Sequence, residues 1–238
     1  MSGPAPAAWE VHRLVGSAEE LHSRALPSSP VRQLWLCRVT GPALVLGSSA
    51  RQQDFVNRDL ARRRGVEVIH RPSGGAAVLL EPGAQLWADV LIGRGDPLWQ
   101  EDIGRAAWWV GEWWQRTLAR VGVTTSVHQG RMQGGELARR ICFAGVGPGE
   151  VLAEGRKLVG LSQRRTRDVV RLQTMLLLDW HPGPLAALCG LSEQDGNAAL
   201  AGVAVGLGQL LPPGAHDAGG TGLLAELETL LIEELRSV

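Results

Sequence analysis

The sequence predicts an α+β fold, with a mixed, largely antiparallel β-sheet flanked by helices. Strand-like and helix-like segments follow one another without a regular βαβ alternation. Short turn signals, Thr40-Gly41-Pro42 and Ala153-Glu154-Gly155-Arg156, separate apolar runs in the way antiparallel strands require. Hydrophobic residues make up 45% of the 238 positions, enough for a sizeable core. The 238 residues suffice for one large or two small domains, and a single domain over residues 9–238 is expected.

The elements follow in order. Residues 1–8 read as a frayed tail. SAEELHSRAL (17–26) opens with a Ser cap and an acidic first turn, which predicts a helix. QLWLCRV (33–39) and ALVLG (43–47) are strands, and QQDFVNRDLARRRG (52–65) is a helix closed by a glycine. VEVIH (66–70), a run starting at Ala76, and LWADVLIG (86–93) are further strands. The longest helix is expected over 97–123, where Ile103, Ala107, Val110, Trp114, Leu118 and Val121 keep helical spacing. Trp108, Trp109, Trp113 and Trp114 within it read as core packing rather than a ligand-stacking box. TTSVH (124–128) is a strand and 129–140 a loop. GEVLAEGRKLVGLSQ (149–163) is a hairpin, and VVRLQTMLLLDW (169–180) another long strand. After Pro182 the pattern turns helical over 183–238, interrupted by a loop over 212–220.

Composition narrows the function. The formal net charge is zero, which argues against a dedicated nucleic-acid or membrane-surface protein. Cys37, Cys142 and Cys189 are widely spaced and form no CxxC pair, as in a reducing compartment. The N-terminus lacks a secretory pattern, and no apolar run approaches the ~20 residues needed to span a bilayer. A cytoplasmic protein is expected. The six histidines show no ligand spacing, so no protein-bound metal is expected.

Two stretches carry chemistry. In HRPSGGAAVLLEPG (70–83) a strand delivers Arg71, followed by Ser73, Gly74, Gly75 and Ala76. Consecutive glycines admit close backbone approach and can offer N–H groups to an anion, and an arginine can fork onto a carboxylate or phosphate. A silent Gly-Gly turn would look the same. The spacing matches neither a P-loop nor a dinucleotide fingerprint. The second stretch, AEGRKLVGLSQRR (153–165), holds the chain's one lysine, Lys157; every other cation of the 24 Lys+Arg is arginine. Lysine is a compact point charge on a flexible stem, so a site that needs an ammonium cannot accept arginine's planar fork.

Together, Arg-x-Ser-Gly-Gly-x-Ala-Val and the later Gly-Arg-Lys-Leu-Val-Gly resemble the lipoate–protein ligase and octanoyltransferase branch of the biotin/lipoate protein ligase family. The resemblance covers about residues 44–178, including ALVLGSSARQQDFVN. It implies a biotin/lipoate ligase-like catalytic domain that attaches a lipoyl or octanoyl group to a lysine of a lipoyl domain. It further implies that Arg71, Ser73, Gly74, Gly75 and Ala76 line the acyl or acyl-adenylate pocket. Lys157, flanked by Gly155 and Gly160, would hold the oxygens of the activated acyl group, where fixed positive charge lowers the barrier. The implied substrates are lipoate or octanoate, free or carrier-bound, with ATP and magnesium if the enzyme is a ligase. The implied partners are lipoyl domains of 2-oxoacid dehydrogenases or the glycine cleavage H protein. An acyl carrier protein or an accessory ligase subunit could join them, since the chain has no room for the small C-terminal domain of the larger ligases. Ala76 stands where the family has a third glycine, His70 where arginine is frequent, and Gln173-Thr174 where many members carry His-Gly.

Two reactions compete. A ligase would work through an acyl-adenylate. An octanoyltransferase would use Cys142, followed by Phe143, as an acyl-thioester nucleophile, as the resemblance to one class of octanoyltransferases implies. Arg139 and Arg140 would favour the thiolate where they point inward. Cys37 and Cys189 read as structural. A degenerate member that only binds lipoate is the third reading, motivated by the departures above.

Overall fold

The computed structural model describes residues 8–48, 54–212 and 221–238. The expected tail over 1–8 (Ala8 apart), the start of the 52–65 helix and the loop over 212–220 (Pro212 apart) lie outside the described residues.

Twelve described strands and six α-helices follow in chain order: β1 (Glu10–Gly16), α1 (Ala18–Ser23), β2 (Arg32–Val39), β3 (Ala43–Leu46), α2 (Arg58–Arg63), β4 (Glu67–His70), β5 (Ala77–Leu80), β6 (Gln85–Gly93), α3 (Trp108–Arg120), β7 (Ser126–Val127), β8 (Gln133–Gly134), β9 (Gly145–Val146), β10 (Val151–Ala153), β11 (Arg156–Arg165), β12 (Val169–Leu177), α4 (Pro182–Leu188), α5 (Glu193–Leu200) and α6 (Thr221–Arg236). The main sheet has the order β1-β2-β6-β12-β11-β10-β7, and every neighbouring pair in it is antiparallel except β1-β2. A smaller sheet, β4-β3-β5, pairs β3 with β4 in parallel and with β5 antiparallel. The mixed, largely antiparallel α+β architecture is therefore as expected.

The main sheet is covered on both faces. Along β2, Leu34 and Leu36 belong to one core while Trp35 and Cys37 belong to the other. That is the period-2 alternation of a strand with two apolar sides. The first face carries α3 and α6, with Trp113 and Trp114 fully buried. Their indole N–H groups donate to Leu231 O and Thr174 Oγ1, both at 2.9 Å. The second face carries the small sheet and α4. All nine residues of β6 are buried, Asp89 among them.

Local chemistry explains the expected elements that hold. Ser17 and Glu20 form a capping box at the start of α1. Asn57 Oδ1 accepts from Leu60 N–H at 3.0 Å and starts α2, and Gly65 follows its end with a φ of 63°. The 149–163 hairpin forms as β10 and β11.

Three expectations are corrected. The helix expected over 97–123 begins only at Trp108, and α6 is the longer helix. Asp96 and Asp102 side chains accept from Leu98 and Arg105 N–H groups, which holds the preceding segment in turns, and Ile103 is 63% exposed. The helical pattern expected over 183–238 also breaks after Leu200, where α5 ends. Residues 203–205 instead run beside β11, exchanging backbone hydrogen bonds with Lys157 at 3.0 Å. β1 was not among the expected elements, because its half-exposed side chains give it little apolar contrast. No helix among the described residues is long and apolar enough to cross a membrane.

Candidate active site

β4 ends at His70 and passes the chain to Arg71, whose backbone N–H donates to Leu46 O at 2.9 Å. The glycine loop then folds over the end of β3. Ser48 N–H donates to Ser73 O at 2.9 Å, and a Cβ on Gly47 would stand 2.2 Å from Gly75 O. Gly75 has a φ of 101°, and a Cβ there would meet Arg71 Nη2 at 2.6 Å and Cys142 Sγ at 3.4 Å. Glycine is required at both positions, for close approach at one and for conformation at the other.

Cys142 opens a short 3₁₀ turn, Cys142–Ala144. The preceding residues are anchored to β5: Ile141 bridges to Ala77, and Ala77 N–H donates to Arg140 O at 2.9 Å. This docks the thiol on the glycine loop. Arg71 Nη2 lies 3.9 Å from Cys142 Sγ and donates to Gly74 O at 2.9 Å. Arg71 is 9% exposed, and its Nε has no partner among the described residues. Ser73 is buried, with Ser162 Oγ 3.4 Å from its own Oγ.

Lys157 sits near the start of β11 and is 1% exposed. Its ammonium contacts Glu150 Oε1 at 2.7 Å, Cys142 O at 3.0 Å and Gly145 O at 3.0 Å, over the ring of Phe143. An ammonium has three N–H donors, so these three partners occupy it fully. Glu150 is also buried. Its Oε1 accepts from Leu161 N–H at 3.0 Å and its Oε2 from Gly147 N–H at 2.7 Å.

Two cavities meet at the thiol. An outer cleft of about 1260 Å³ is bordered by Gly74, Gly75, Ala76, Cys142, Glu150 and Lys157. Its rim carries Arg131, Arg139, Arg140 and Arg165. A narrow inner pocket runs beneath Cys142 between Arg71, Val78, Leu80, Trp87, Phe143, Gly160 and Met175. Cys142, Leu161 and Ser162 border both cavities. Strand register gives the inner pocket its direction. Gly160, Met175 and Trp87 are successive cross-strand neighbours on β11, β12 and β6, so the pocket crosses the sheet over two strand spacings, roughly 10 Å.

Polar groups border the inner pocket on the side of α1. His22 lies 3.3 Å from the Gln173 amide and against the Trp87 ring. Burial, followed by the nearby Arg71 and Arg171 cations, holds its imidazole well below the ordinary 6.5. Behind it, Asp89 accepts from Trp87 Nε1 at 2.6 Å and pairs with Arg171 at 2.6 Å. Burial raises the Asp89 carboxyl despite that pairing.

The structure brings Arg71, Gly74, Gly75, Ala76, Cys142, Lys157 and Gly160 to the borders of these cavities, while Ser73 is buried behind them against Ser162. Gly155 is elsewhere: it turns the exposed β10-β11 hairpin with a φ of 75° and borders neither cavity. Gly160 provides room, since a Cβ there would stand 3.2 Å from Phe143. Arg140 lies over the Phe55 ring on the cleft side, and the cation beside the sulfur is Arg71. Cys142 is half-buried, whereas Cys37 and Cys189 are buried. Burial pushes the Cys37 thiol well above its ordinary value and the Cys189 thiol up to about 12, so neither is poised to react.

Sequence reasoning missed Glu150, Ser162 and His22. Glu150 left one usable trace, an acid at the mouth of a hairpin whose other strand begins with the lone lysine. His22 left none, because it comes from α1, far from β12 in sequence.

Residues 17–210 match the family model described as the lipoyl protein ligase A/B catalytic domain. The chain is 28% identical over 151 residues to the octanoyltransferase LipM of Kyrpidia tusciae, covering 62% of this chain and 54% of that protein. It thus spans about half the length of the curated relatives it matches. The bi-partite lipoate protein ligase of Thermoplasma acidophilum, described together with its E2 lipoyl domain, superposes with a TM-score of 0.67 at 13% identity, covering 94% of this chain and 81% of that one. A lipoate-protein ligase A bound with ATP superposes with a TM-score of 0.66 at 14% identity, covering 94% and 84%.

Proposed function

The chain belongs to the lipoyl protein ligase A/B catalytic domain family, and on that premise we propose that it is an octanoyltransferase with Cys142 as its nucleophile. The observation that carries this reading is the place of the thiol. It stands where the open cleft meets the narrow apolar pocket, beside the Arg71 guanidinium. The names of the curated relatives, each an octanoyltransferase, support it.

In the first half-reaction the Cys142 thiolate attacks the carbonyl carbon of an octanoyl thioester on an acyl carrier protein. The carrier's thiolate leaves, and the octanoyl group becomes a thioester of Cys142. In the second, the neutral ε-amine of a lipoyl-domain lysine attacks that thioester, an amide forms, and Cys142 leaves as thiolate and takes up a proton. Arg71 beside the sulfur stabilises negative charge on it in both halves. The outer cleft admits the two carriers in turn. The inner pocket takes the hydrocarbon tail. It holds only about 30 Å³ of open space, so an entering chain must displace flexible side chains, of which Met175 with its unbranched thioether is the most adaptable.

The ligase reading shares the cleft and the acceptor lysine. It differs in needing lipoate, ATP and magnesium, and the ATP bound in one structural neighbour keeps it in view. The two are separated by the mass of an apo lipoyl domain after incubation with the protein under two feeds. With octanoyl–acyl carrier protein and no nucleotide, we expect octanoylation of the lipoyl domain, an octanoyl adduct on Cys142, and loss of both in C142S. A gain only with lipoate and Mg-ATP would establish the ligase. No gain with either feed, with an accessory subunit supplied, would leave a lipoate-binding protein without activity.

A further inference from the structure

Glu150 and Lys157 form a buried ion pair whose connections run toward the nucleophile rather than toward the solvent. Both side chains are nearly inaccessible, and their charged ends are 2.7 Å apart. The other two donors of the ammonium go to carbonyl oxygens at the two ends of one short segment, Cys142 and Gly145. Lys157 therefore grips the backbone of the turn that carries the thiol. Its own backbone is held from two sides, by Leu152 of β10 and by residues 203–205.

Glu150 is as firmly held. The β10-β11 ladder ends at Val159, so the Leu161 N–H has no strand partner on that side. Glu150 Oε1 supplies the missing acceptor, and Oε2 takes the Gly147 N–H from the loop beyond β9. Both oxygens accept from backbone donors, one in β11 and one in the loop, so this carboxylate serves as an anchor between them. A buried ammonium with only two neutral carbonyls would be strongly disfavoured, and the carboxylate is what keeps it in place.

We infer that Glu150 is a positioning residue. It fixes the Lys157 ammonium against the Cys142 turn and so sets where the thiol stands between cleft and pocket. The inference rests on the thioester reading of Cys142. On this account Lys157 also acts through Cys142, as the link between the carboxylate and the turn.

The test follows octanoylation of Cys142 in the full chain, with octanoyl–acyl carrier protein as donor and rapid-quench intact mass as readout. Wild type, E150Q, K157M and E150Q/K157M are compared, with thermal melts to confirm that each is folded. E150Q keeps the volume and removes the charge. It should lower the saturating acylation rate about 10- to 100-fold, the scale of a misplaced reacting group, with the half-saturating donor concentration nearly unchanged. In the K157M background E150Q should add little, because both changes break one linkage. Should E150Q alone not fold, the double variant, which removes both charges, still decides: it must acylate no more slowly than K157M. An unchanged rate in E150Q, or losses that multiply in the double variant, would overturn the inference and leave the thioester reading intact. A wild-type protein that gains no octanoyl group would overturn both.

Discussion

Arg171–Asp89 and Lys157–Glu150 are both buried ion pairs, joined at 2.6 and 2.7 Å, yet they sit in different surroundings. Arg171 and Asp89 link β12 to β6 under α1, where Arg171 also donates to Leu21 O at 3.0 Å. Their partners are core side chains and a helix end, and one guanidinium nitrogen, Nη1, has no partner among the described residues. Lys157 and Glu150 link β11 to the loop around Cys142, and both border the outer cleft. One pair closes the core and the other fixes the site. A buried charge left alone costs more where water cannot reach it, so breaking the first pair should act on stability and breaking the second on rate.

R171M leaves Asp89 without its cation in a site where burial already raises its carboxyl. A stability loss of about 3–5 kcal/mol is expected from urea denaturation. D89N/R171M should recover part of it, since no charge is then stranded. K157M should lose less stability, because Glu150 keeps its two backbone donors and borders the cleft, but should slow Cys142 acylation about 100-fold. The comparison breaks if R171M, assayed where it is folded, slows acylation as much as K157M. G75A tests the ground between the pairs. It places a Cβ at positive φ and 2.6 Å from Arg71 Nη2, and should cost about 1–3 kcal/mol while pushing Arg71 off the thiol.

The smallest expected effect is the pH response of His22. Folded, it binds a proton less readily than in the unfolded chain, where its ordinary value is 6.5. Below about pH 6.5 the unfolded chain takes up more protons, so stability is lost as the pH falls. H22F keeps a ring against Trp87 and removes the titration. The melting temperature of wild type relative to H22F should therefore decline on acidification, and a pH-independent difference would show that His22 does not carry this response.

Much of the site was legible because its chemistry is local. The Ser-Gly-Gly loop, the β10-β11 hairpin and the lone lysine are each written in one short continuous stretch of sequence. The family resemblance joined them, and most of the residues it pointed to border the cleft or the inner pocket, Ser73 and Gly155 excepted. The boundaries of α3 were misread because two aspartates near 96–104 bind the backbone in turns, which hydrophobic spacing does not register. Residues 203–205 look helical in isolation. Pairing with Lys157 overrides that preference and makes them part of the lysine's support.

The sequence by itself determined the fold class and the two stretches that carry chemistry, since turn geometry, side-chain period and residue chemistry act between near neighbours, while the nucleophile candidate came from the family resemblance. Only the tertiary structure decided what Lys157 holds, that Glu150 anchors it, and that Arg71 rather than Arg139 or Arg140 stands against the thiol. Those contacts join β4, β11 and the Cys142 turn across long stretches of chain, and their distances are set by how the two sheets stack, a property that no short segment contains.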